Sequence, residues 1–250
     1  MNGIDEKVLK ILYLIPTDKM GLEEQHRREK IANQFLTNRG NKVFVRATDG
    51  GPLSIESSIE EYVSVPYMLK KVFEIQGEYD AVVIGCAGDA GIRPVREISR
   101  LPVIGPLESS IYFSLMLGDS FSIITPLDSL NPMVEAYLRE LSVFEKCASI
   151  RAVGVPVLEL ASDEKKTLDA LVTVRKKCKE DGAKSIILGC MSMAFLLLDE
   201  KMGEDREIPV INPAKVAIKT AEFRASLGIG QSLISYPFPN VEKLKKAHIL

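Results

Sequence analysis

The sequence predicts an α/β protein with two pseudo-symmetric domains, each built on a parallel sheet. Short apolar strands alternate with helices along the 250 residues, which is typical of parallel βαβ units. The order strand, Gly-Cys, turn, helix and Pro-Val-Ile occurs twice, at 84–104 and at 188–211. Because two similar halves that face each other enclose a cleft, we expect a small-molecule site between them.

The predicted strands are apolar runs without polar alternation, as expected for sheets that are buried on both faces. They are predicted at 8–15, 42–47, 81–85, 102–105, 121–125, 150–155, 185–189 and 208–211. Helices are predicted between them at 22–39, 59–76, 91–100, 108–117, 131–141, 163–180, 192–201 and 213–227. One domain is expected to comprise 1–106 with 214–250, and the other to comprise 107–213. The tail, with its prolines, is expected to be a surface strap.

Composition and charge exclude several classes of partner. The formal net charge of −2 gives no electrostatic reason to expect nucleic acid or an anionic membrane surface. No apolar run approaches the roughly 20 residues of a membrane span, and the first ten residues do not resemble a signal peptide. We therefore expect a cytoplasmic protein that binds neither nucleic acid nor a membrane.

Cysteine and histidine usage argues against a metal site. The four cysteines are Cys86, Cys147, Cys178 and Cys190. No two of them have C-x-x-C spacing, and the two histidines lie near the chain ends, so we expect no structural zinc. A disulfide framework is not expected in a chain of this length without an export signal.

The two Gly-Cys turns are the strongest functional signal. Cys86 follows the strand at 81–85, and Cys190 follows the strand at 185–189. Open α/β sheets bind their ligands at the carboxyl ends of such strands, and neighbouring glycines let the backbone approach a ligand closely. Both cysteines are therefore candidate reactive groups. Cys147 and Cys178 are interpreted as small buried apolar residues.

Five segments carry a resemblance to a known family. They are Cys86-Ala87-Gly88-Asp89-Ala90-Gly91, then Gly51-Pro52-Leu53-Ser54-Ile55-Glu56-Ser57, then Arg96-Glu97 with Pro102-Val103-Ile104-Gly105 and Glu108, then Leu188-Gly189-Cys190-Met191-Ser192-Met193, and finally Pro209-Val210-Ile211-Asn212-Pro213. On these segments most of the chain resembles the aspartate/glutamate/hydantoin racemase superfamily, and within it the hydantoin and allantoin racemases.

The sequence departs from that family at several positions near the expected site. Its first strand ends in Ile15-Pro16-Thr17-Asp18 rather than Asn-Pro-Asn-Thr-Ser. Ala87 replaces a bulky aromatic residue, Met191-Ser192 replaces a pair of small residues, and Tyr112 stands where a histidine is often found. These differences bear on the choice of substrate rather than on the cysteines themselves.

The resemblance implies two flavodoxin-like domains with the active site in the cleft between them, often in a homo-oligomer. It also implies a racemase or epimerase that needs no cofactor and acts on a small molecule such as a 5-substituted hydantoin or allantoin. Cys86 and Cys190 would be opposed acid/base groups, one ionised and one protonated. We expect the following helix to lower the pKa of each thiol, and turn N–H groups to stabilise an enolate.

Seven further residues are candidates for substrate binding. They are Thr17, Ala87, Gly88, Asp89, Thr125, Met191 and Ser192. Each polar member has a structural alternative, because Thr17 and Thr125 can cap the ends of strands and Asp89 can cap the helix that follows it. Gly88 can serve only to shape its turn.

Three other functions stay open at this point. The first is an aspartate/glutamate-type amino-acid racemase, although such enzymes usually have Asn-Thr and Thr-His after their cysteines, where this chain has Ala87-Gly88 and Met191-Ser192. The second is a maleate-type cis–trans isomerase, in which one cysteine adds covalently to the double bond. The third is a non-catalytic relative that binds a small molecule.

Overall fold

The computed structural model describes residues 7–18, 20–203 and 207–250, and two parallel sheets form its framework. The strands in these ranges are β1 (Lys10–Asp18), β2 (Lys42–Thr48), β3 (Ala81–Ile84), β4 (Val103–Ile104), β5 (Phe121–Thr125), β6 (Cys147–Ala152), β7 (Ile186–Leu188) and β8 (Val210–Ile211). The sheets have the orders β2-β1-β3-β4 and β6-β5-β7-β8, and all neighbouring strands run parallel. The two halves therefore share one topology, which confirms the predicted fold class.

Helices connect the strands as expected, with one correction. They are α1 (Leu22–Phe35), α2 (Ser58–Ile75), α3 (Ile92–Ile98), α4 (Pro106–Leu117), α5 (Asn131–Glu140), α6 (Glu164–Glu180), α7 (Met191–Phe195), α8 (Leu198–Lys201), α9 (Pro213–Ser226) and α10 (Val241–Lys246). The single helix predicted at 192–201 is wrong. Leu197 has a φ of 54°, in the left-handed region, and this residue separates α7 from α8.

Capping residues explain where several helices begin. The Ser57 hydroxyl oxygen accepts a hydrogen bond from Glu60 N at the start of α2, and the Glu60 carboxylate accepts one from the Ser57 hydroxyl. Asp163 caps α6 by accepting from Lys166 N. Asn212 caps α9 in the same way, just before the proline that opens the helix.

Both faces of each sheet are buried. In the first sheet, Tyr13 and Val83 pack with residues of α1, α7 and α9, whereas Leu12 and Ile84 pack against α2 and α3. The second sheet is covered by α6 on one face and by α4 and α5 on the other. Side chains that alternate along one strand thus enter different cores, which is why β3 and β7, in the interior of the two sheets, consist of apolar residues alone.

Helix α9 follows the second sheet in the chain but packs on the first. Ala221 of α9 is in the same core cluster as the strands of the first sheet. Glu222 accepts hydrogen bonds from the backbone N–H groups of residues 37 and 38. This packing supports a division that we retain as a proposal, with 1–106 and 214–250 in one domain and 107–213 in the other.

The tail is anchored at its end rather than lying wholly on the surface. Ile249 and Leu250 pack against the core between the first sheet and α2, and Asn240 caps the short helix α10.

In the described ranges, we find no helix long and apolar enough to cross a membrane.

Candidate active site

The two Gly-Cys turns occupy equivalent places in the two sheets. Cys86 lies just beyond the carboxyl end of β3, and Cys190 lies just beyond the carboxyl end of β7. Each of these strands is third in the order of its sheet. The repeated sequence pattern therefore corresponds to a repeated position in three dimensions.

A glycine precedes each cysteine because the adjacent strand leaves no room for a side chain. Gly85 N donates to Leu14 O over 2.6 Å, and Gly189 N donates to Ile124 O over 2.7 Å. A Cβ atom on Gly85 would lie 2.5 Å from Leu14 O, and one on Gly189 would lie 2.9 Å from Ile124 O. These close approaches bring the cysteine turns tightly onto their sheets.

One cavity of about 1330 Å³ includes both cysteine turns in its wall. All nine candidates named from the sequence line it: Thr17, Cys86, Ala87, Gly88, Asp89, Thr125, Cys190, Met191 and Ser192. Apolar side chains from both halves make up much of the remaining wall, including those of Val65, Leu69, Leu107 and Met133. A cavity with mostly apolar walls and a few polar groups is typical of a small-molecule site.

Cys86 is half-buried in the cavity wall, beside the backbone N–H groups of Gly88 and Ala90. Gly88 N donates toward Cys86 Sγ over 3.4 Å. Burial raises the pKa of the Cys86 thiol to about 12, and the N–H groups of Gly88 and Ala90 offset part of that rise. The negative charges of Cys190 and Glu61 would raise the pKa further.

Cys190 has a similar environment with one important difference. Burial again raises its pKa, while the N–H groups of Ser192 and Met193 and the Ser192 hydroxyl lower it. The positive charge of Arg28 also lowers the pKa of Cys190. The N–H groups that follow each cysteine therefore lower its pKa, but desolvation outweighs them, so the pKa of each thiol lies above its ordinary value.

Asp89 caps a helix, though not the one that the sequence indicates. Its carboxylate accepts hydrogen bonds from Leu107 N at 2.8 Å and Glu108 N at 2.7 Å, in the first turn of α4. The Tyr137 hydroxyl donates a third. Burial raises the pKa of Asp89 to about 7, against the lowering effect of these hydrogen bonds. The Asp89 side chain lines the cavity, but its oxygens already accept hydrogen bonds from other groups of the protein.

The three candidates with a side-chain hydroxyl group differ in the hydrogen bonds that this group makes within the protein. Thr125 donates to Asn131 Oδ1 over 2.7 Å, so it fastens the end of β5 to α5. Ser192 accepts from Arg28 Nη2 over 3.3 Å. Thr17 makes no hydrogen bond through its side chain within the part of the chain that the structure describes, which leaves its hydroxyl available to a ligand.

The remaining candidates serve packing and the shape of the turn. Ala87 and Met191 are each only 3% exposed and belong to the core cluster of the first sheet. A Cβ on Gly88 would lie 3.7 Å from Cys86 Sγ, an ordinary contact distance. Gly91, by contrast, has a φ of 66° at the start of α3, a conformation that favours glycine.

Several charged residues of the cavity were not singled out from the sequence. They are Glu24, Arg27, Arg28, Glu61, Arg93, Glu140 and Glu164. In sequence, the first three look like the solvated face of an amphipathic helix. The one signal in the sequence was helical periodicity. Arg28 precedes Ala32 by four residues and Phe35 by seven, so all three fall on the buried face of α1.

Comparison with known proteins identifies the family. The Asp/Glu/Hydantoin racemase family matches residues 28–221. A hydantoin racemase of Rhizobium meliloti is 33% identical over 195 residues, covering 76% of this chain and 80% of its own. One from Pseudomonas sp. (strain NS671) is 34% identical over 194 residues, covering 76% of each chain.

A solved structure agrees with these sequence matches. The crystal structure of allantoin racemase from Pseudomonas fluorescens superposes with a TM-score of 0.84 at 27% identity, covering 93% of this chain and 97% of that one. The resemblance predicted from the sequence, including its hydantoin/allantoin branch, is confirmed. The chain is an isomerase that belongs to the Asp/Glu/hydantoin racemase family.

Proposed function

We propose that the protein racemises a 5-substituted hydantoin without a cofactor, using Cys86 and Cys190 as opposed acid/base groups. The observation that carries this proposal is that two cysteines in equivalent positions line one cavity. The family and its hydantoin racemase members support the class of reaction. Allantoin is the second candidate substrate, on the strength of the matched allantoin racemase structure.

The chemistry needs two groups in different protonation states. One thiolate takes the proton from carbon 5, and the electron pair moves onto the adjacent carbonyl oxygen to form an enolate. The opposite thiol then returns a proton to the other face of the carbon. At the end of the reaction the two sulfurs have exchanged roles, so the reverse direction uses the same pair.

Backbone N–H groups beside both sulfurs suit the enolate intermediate. Those of Gly88 and Ala90 face Cys86, and those of Ser192 and Met193 face Cys190. A substrate that displaces the thiol from some of these donors would receive their hydrogen bonds on its ring oxygens. Preorganised donors of this kind stabilise the negative charge that develops in the transition state.

The cavity favours a hydantoin with an apolar substituent over allantoin. Its apolar wall includes Val65, Leu69 and Met133, whereas the substituent of allantoin is a small polar ureido group. Ala87 lines the same cavity with a methyl group, which takes up less of its volume than a bulky aromatic side chain would. Burial of apolar substrate surface contributes about 25 cal/mol per Å², which favours the bulkier hydantoin.

A panel of pure enantiomers tests this function. Each enantiomer of several 5-substituted hydantoins, of allantoin, and of aspartate and glutamate is incubated with the protein, and the decay of circular dichroism is followed. We expect the fastest decay with apolar hydantoins. Decay with the amino acids alone would favour the amino-acid racemase, and no decay at all would favour a binding protein. A covalent adduct with maleate would favour the cis–trans isomerase.

We also propose that the enzyme is a cytoplasmic homo-oligomer. All four cysteines are free thiols, which fits a reducing compartment. Helices α4 and α9 pack together and expose large apolar side chains, including Met116 at 75% and Phe223 at 62% exposure. Light scattering coupled to size-exclusion chromatography tests the oligomer, and a monomeric mass would contradict it.

A further inference from the structure

The charged groups around the cavity are divided between its two cysteines. Arg28 is buried on the Cys190 side, with its side chain 7% exposed. Arg28 Nη2 lies 3.3 Å from Ser192 Oγ, and the guanidinium lies 5.2 Å from the ring centroid of Phe195. Both contacts are with α7, the helix that starts directly after Cys190. The arginine is therefore fixed against the turn that holds this cysteine.

The charge on this side is only partly neutralised. The Glu24 carboxylate accepts hydrogen bonds from Arg27 Nε at 2.6 Å and from Arg28 Nε at 2.8 Å, so one anion serves two guanidinium groups. Glu164 is the next acidic group near Arg27, and it is itself paired with Lys201 over 2.7 Å. The Cys190 side of the cavity thus carries a net positive charge.

The Cys86 side has the opposite character. Glu61 of α2 lines the cavity, and its carboxylate has no hydrogen bond or ion pair within residues 7–18, 20–203 and 207–250. The nearby Glu140 is paired with Arg93 over 3.2 Å. Asp89 is satisfied by its three hydrogen bonds. The one uncompensated charge on this side is therefore negative among the described residues.

We propose that Arg28 is a positioning residue that makes Cys190 the more acidic of the two thiols, so that Cys190 ionises first and Cys86 stays protonated. The inference rests on the proposed function, because it assigns a starting protonation state to the two acid/base groups. A buried cation stabilises a nearby anion strongly, since little water screens the pair. Glu61 disfavours the same anion at Cys86.

The nearest charges act on the two thiols in opposite directions, in agreement with this geometry. The Arg28 charge lowers the pKa of Cys190, whereas the Glu61 charge raises that of Cys86. Tyr13 also lies near both sulfurs, but burial raises the pKa of its hydroxyl, so it stays neutral and adds no charge. Arg28 thus distinguishes two sulfurs that the pseudo-symmetry otherwise makes alike.

Alkylation by iodoacetamide measures the two thiols separately and needs no substrate. The reaction is run from about pH 6 to pH 12, and each modified cysteine is quantified by peptide mass spectrometry. Because only the thiolate reacts, the thiol with the lower midpoint also reacts faster at every pH below both midpoints. In the wild type, we expect the midpoint for Cys190 to lie below that for Cys86. Arg28→Met should raise the Cys190 midpoint by about one pH unit, and slow its alkylation about tenfold at neutral pH.

The chain offers a matched control for the loss of an arginine. Arg139 has the same two kinds of contact as Arg28, an ion pair with Glu135 four residues earlier and a stacked Phe144 ring, but it does not line the cavity. Arg139→Met should leave both midpoints unchanged. Arg28→Lys should restore most of the difference, and Glu61→Gln should lower the Cys86 midpoint.

A lower midpoint for Cys86 than for Cys190 in the wild type would overturn the proposal. So would an unchanged Cys190 midpoint in Arg28→Met. If Arg28→Met fails to fold, the wild-type order of midpoints and the Arg28→Lys variant still decide. Absence of racemisation on every substrate would instead count against the proposed function, because the alkylation midpoints do not depend on turnover.

Discussion

The hydroxyl of Tyr137 donates a hydrogen bond to the carboxylate of Asp89, with 3.0 Å between Tyr137 Oη and Asp89 Oδ2. Asp89 belongs to the turn that follows Cys86, whereas Tyr137 belongs to α5, which covers the second sheet. The same carboxylate caps α4. One side chain therefore joins the first cysteine turn to two helices of the other half, beside the cavity.

Removal of this hydroxyl should loosen the contact between the halves. We expect Tyr137→Phe to lower the free energy of unfolding by about 1 kcal/mol, since a buried acceptor loses one partner. Chemical denaturation measures the change. Tyr112→Phe is the control, because Tyr112 is exposed on α4. Equal effects of the two substitutions would contradict a bridging role for Tyr137.

Asp89 should also leave a signature in the pH dependence of stability. Its pKa rises from 3.8 to about 7 on folding. The folded state thus holds this proton more tightly, so the contribution is fully present below about pH 4 and is lost as the pH rises to about 7.

The variant Asp89→Asn isolates that contribution, because it removes the titrating group alone. We expect the difference in unfolding free energy between wild type and Asp89→Asn to shift against the wild type as the pH rises through this window. Urea titrations at several pH values provide the measurement. A difference that is independent of pH would show that burial does not perturb Asp89.

The glycines before the two cysteines should not tolerate a side chain. Gly85→Ala and Gly189→Ala would place a methyl group 2.5 Å and 2.9 Å from a carbonyl oxygen of the neighbouring strand. We expect each to cost about 1–3 kcal/mol of stability, as is typical of overpacking, and to displace the adjacent sulfur. Gly77→Ala is the control, since nothing lies within 4 Å of its added Cβ. Unaltered stability in Gly85→Ala would contradict the close packing.

Glu222 should hold α9 onto the first half of the chain. Its carboxylate accepts from the N–H groups of Thr37 and Asn38 and from the Asn41 amide. The two backbone hydrogen bonds help to hold the pKa of Glu222 below its usual value. Its contribution to stability is therefore present above the ordinary glutamate pKa and is lost as the pH falls through the folded value.

Substitution of Glu222 tests this link at neutral pH. We expect Glu222→Gln to cost about 1–3 kcal/mol in unfolding free energy, because it removes a charged acceptor of several hydrogen bonds. The exposed Glu242 on α10 offers a control, Glu242→Gln, with little expected effect. If both variants unfold at the same denaturant concentration, the anchoring role is wrong.

The alternation and duplication of the sequence were sufficient to predict the fold class and the position of the cysteines. Apolar strand segments and Gly-Cys pairs are local signals that can be recognised in the sequence. Because the same signals occur in both halves, β3 and β7 take equivalent positions in the two sheets. The break at Leu197 was missed because a left-handed leucine has no sequence signature. Such a residue is held in place by tertiary packing.

The sequence was sufficient to predict the two cysteine turns of the site, but not the charged side chains that surround them. Arg28 lies on a helix whose Glu-Arg pattern resembles a solvated face, and its burial becomes visible only when α7 from the other end of the chain packs against α1. Asp89 was recognised as a possible cap. Its helix, α4, begins 17 residues further along rather than next to it, so local capping rules chose the wrong helix.

Racemisation by single-cysteine variants tests whether Cys86 and Cys190 are the two acid/base groups. Pure enantiomers of a racemised 5-substituted hydantoin are incubated in heavy water with wild type, Cys86→Ser and Cys190→Ser, while circular dichroism and deuterium at carbon 5 are followed. Each variant should lose racemisation, by at least about a hundredfold, whereas exchange should persist for one enantiomer, a different one in each variant. Racemisation at the wild-type rate in either variant would contradict this assignment.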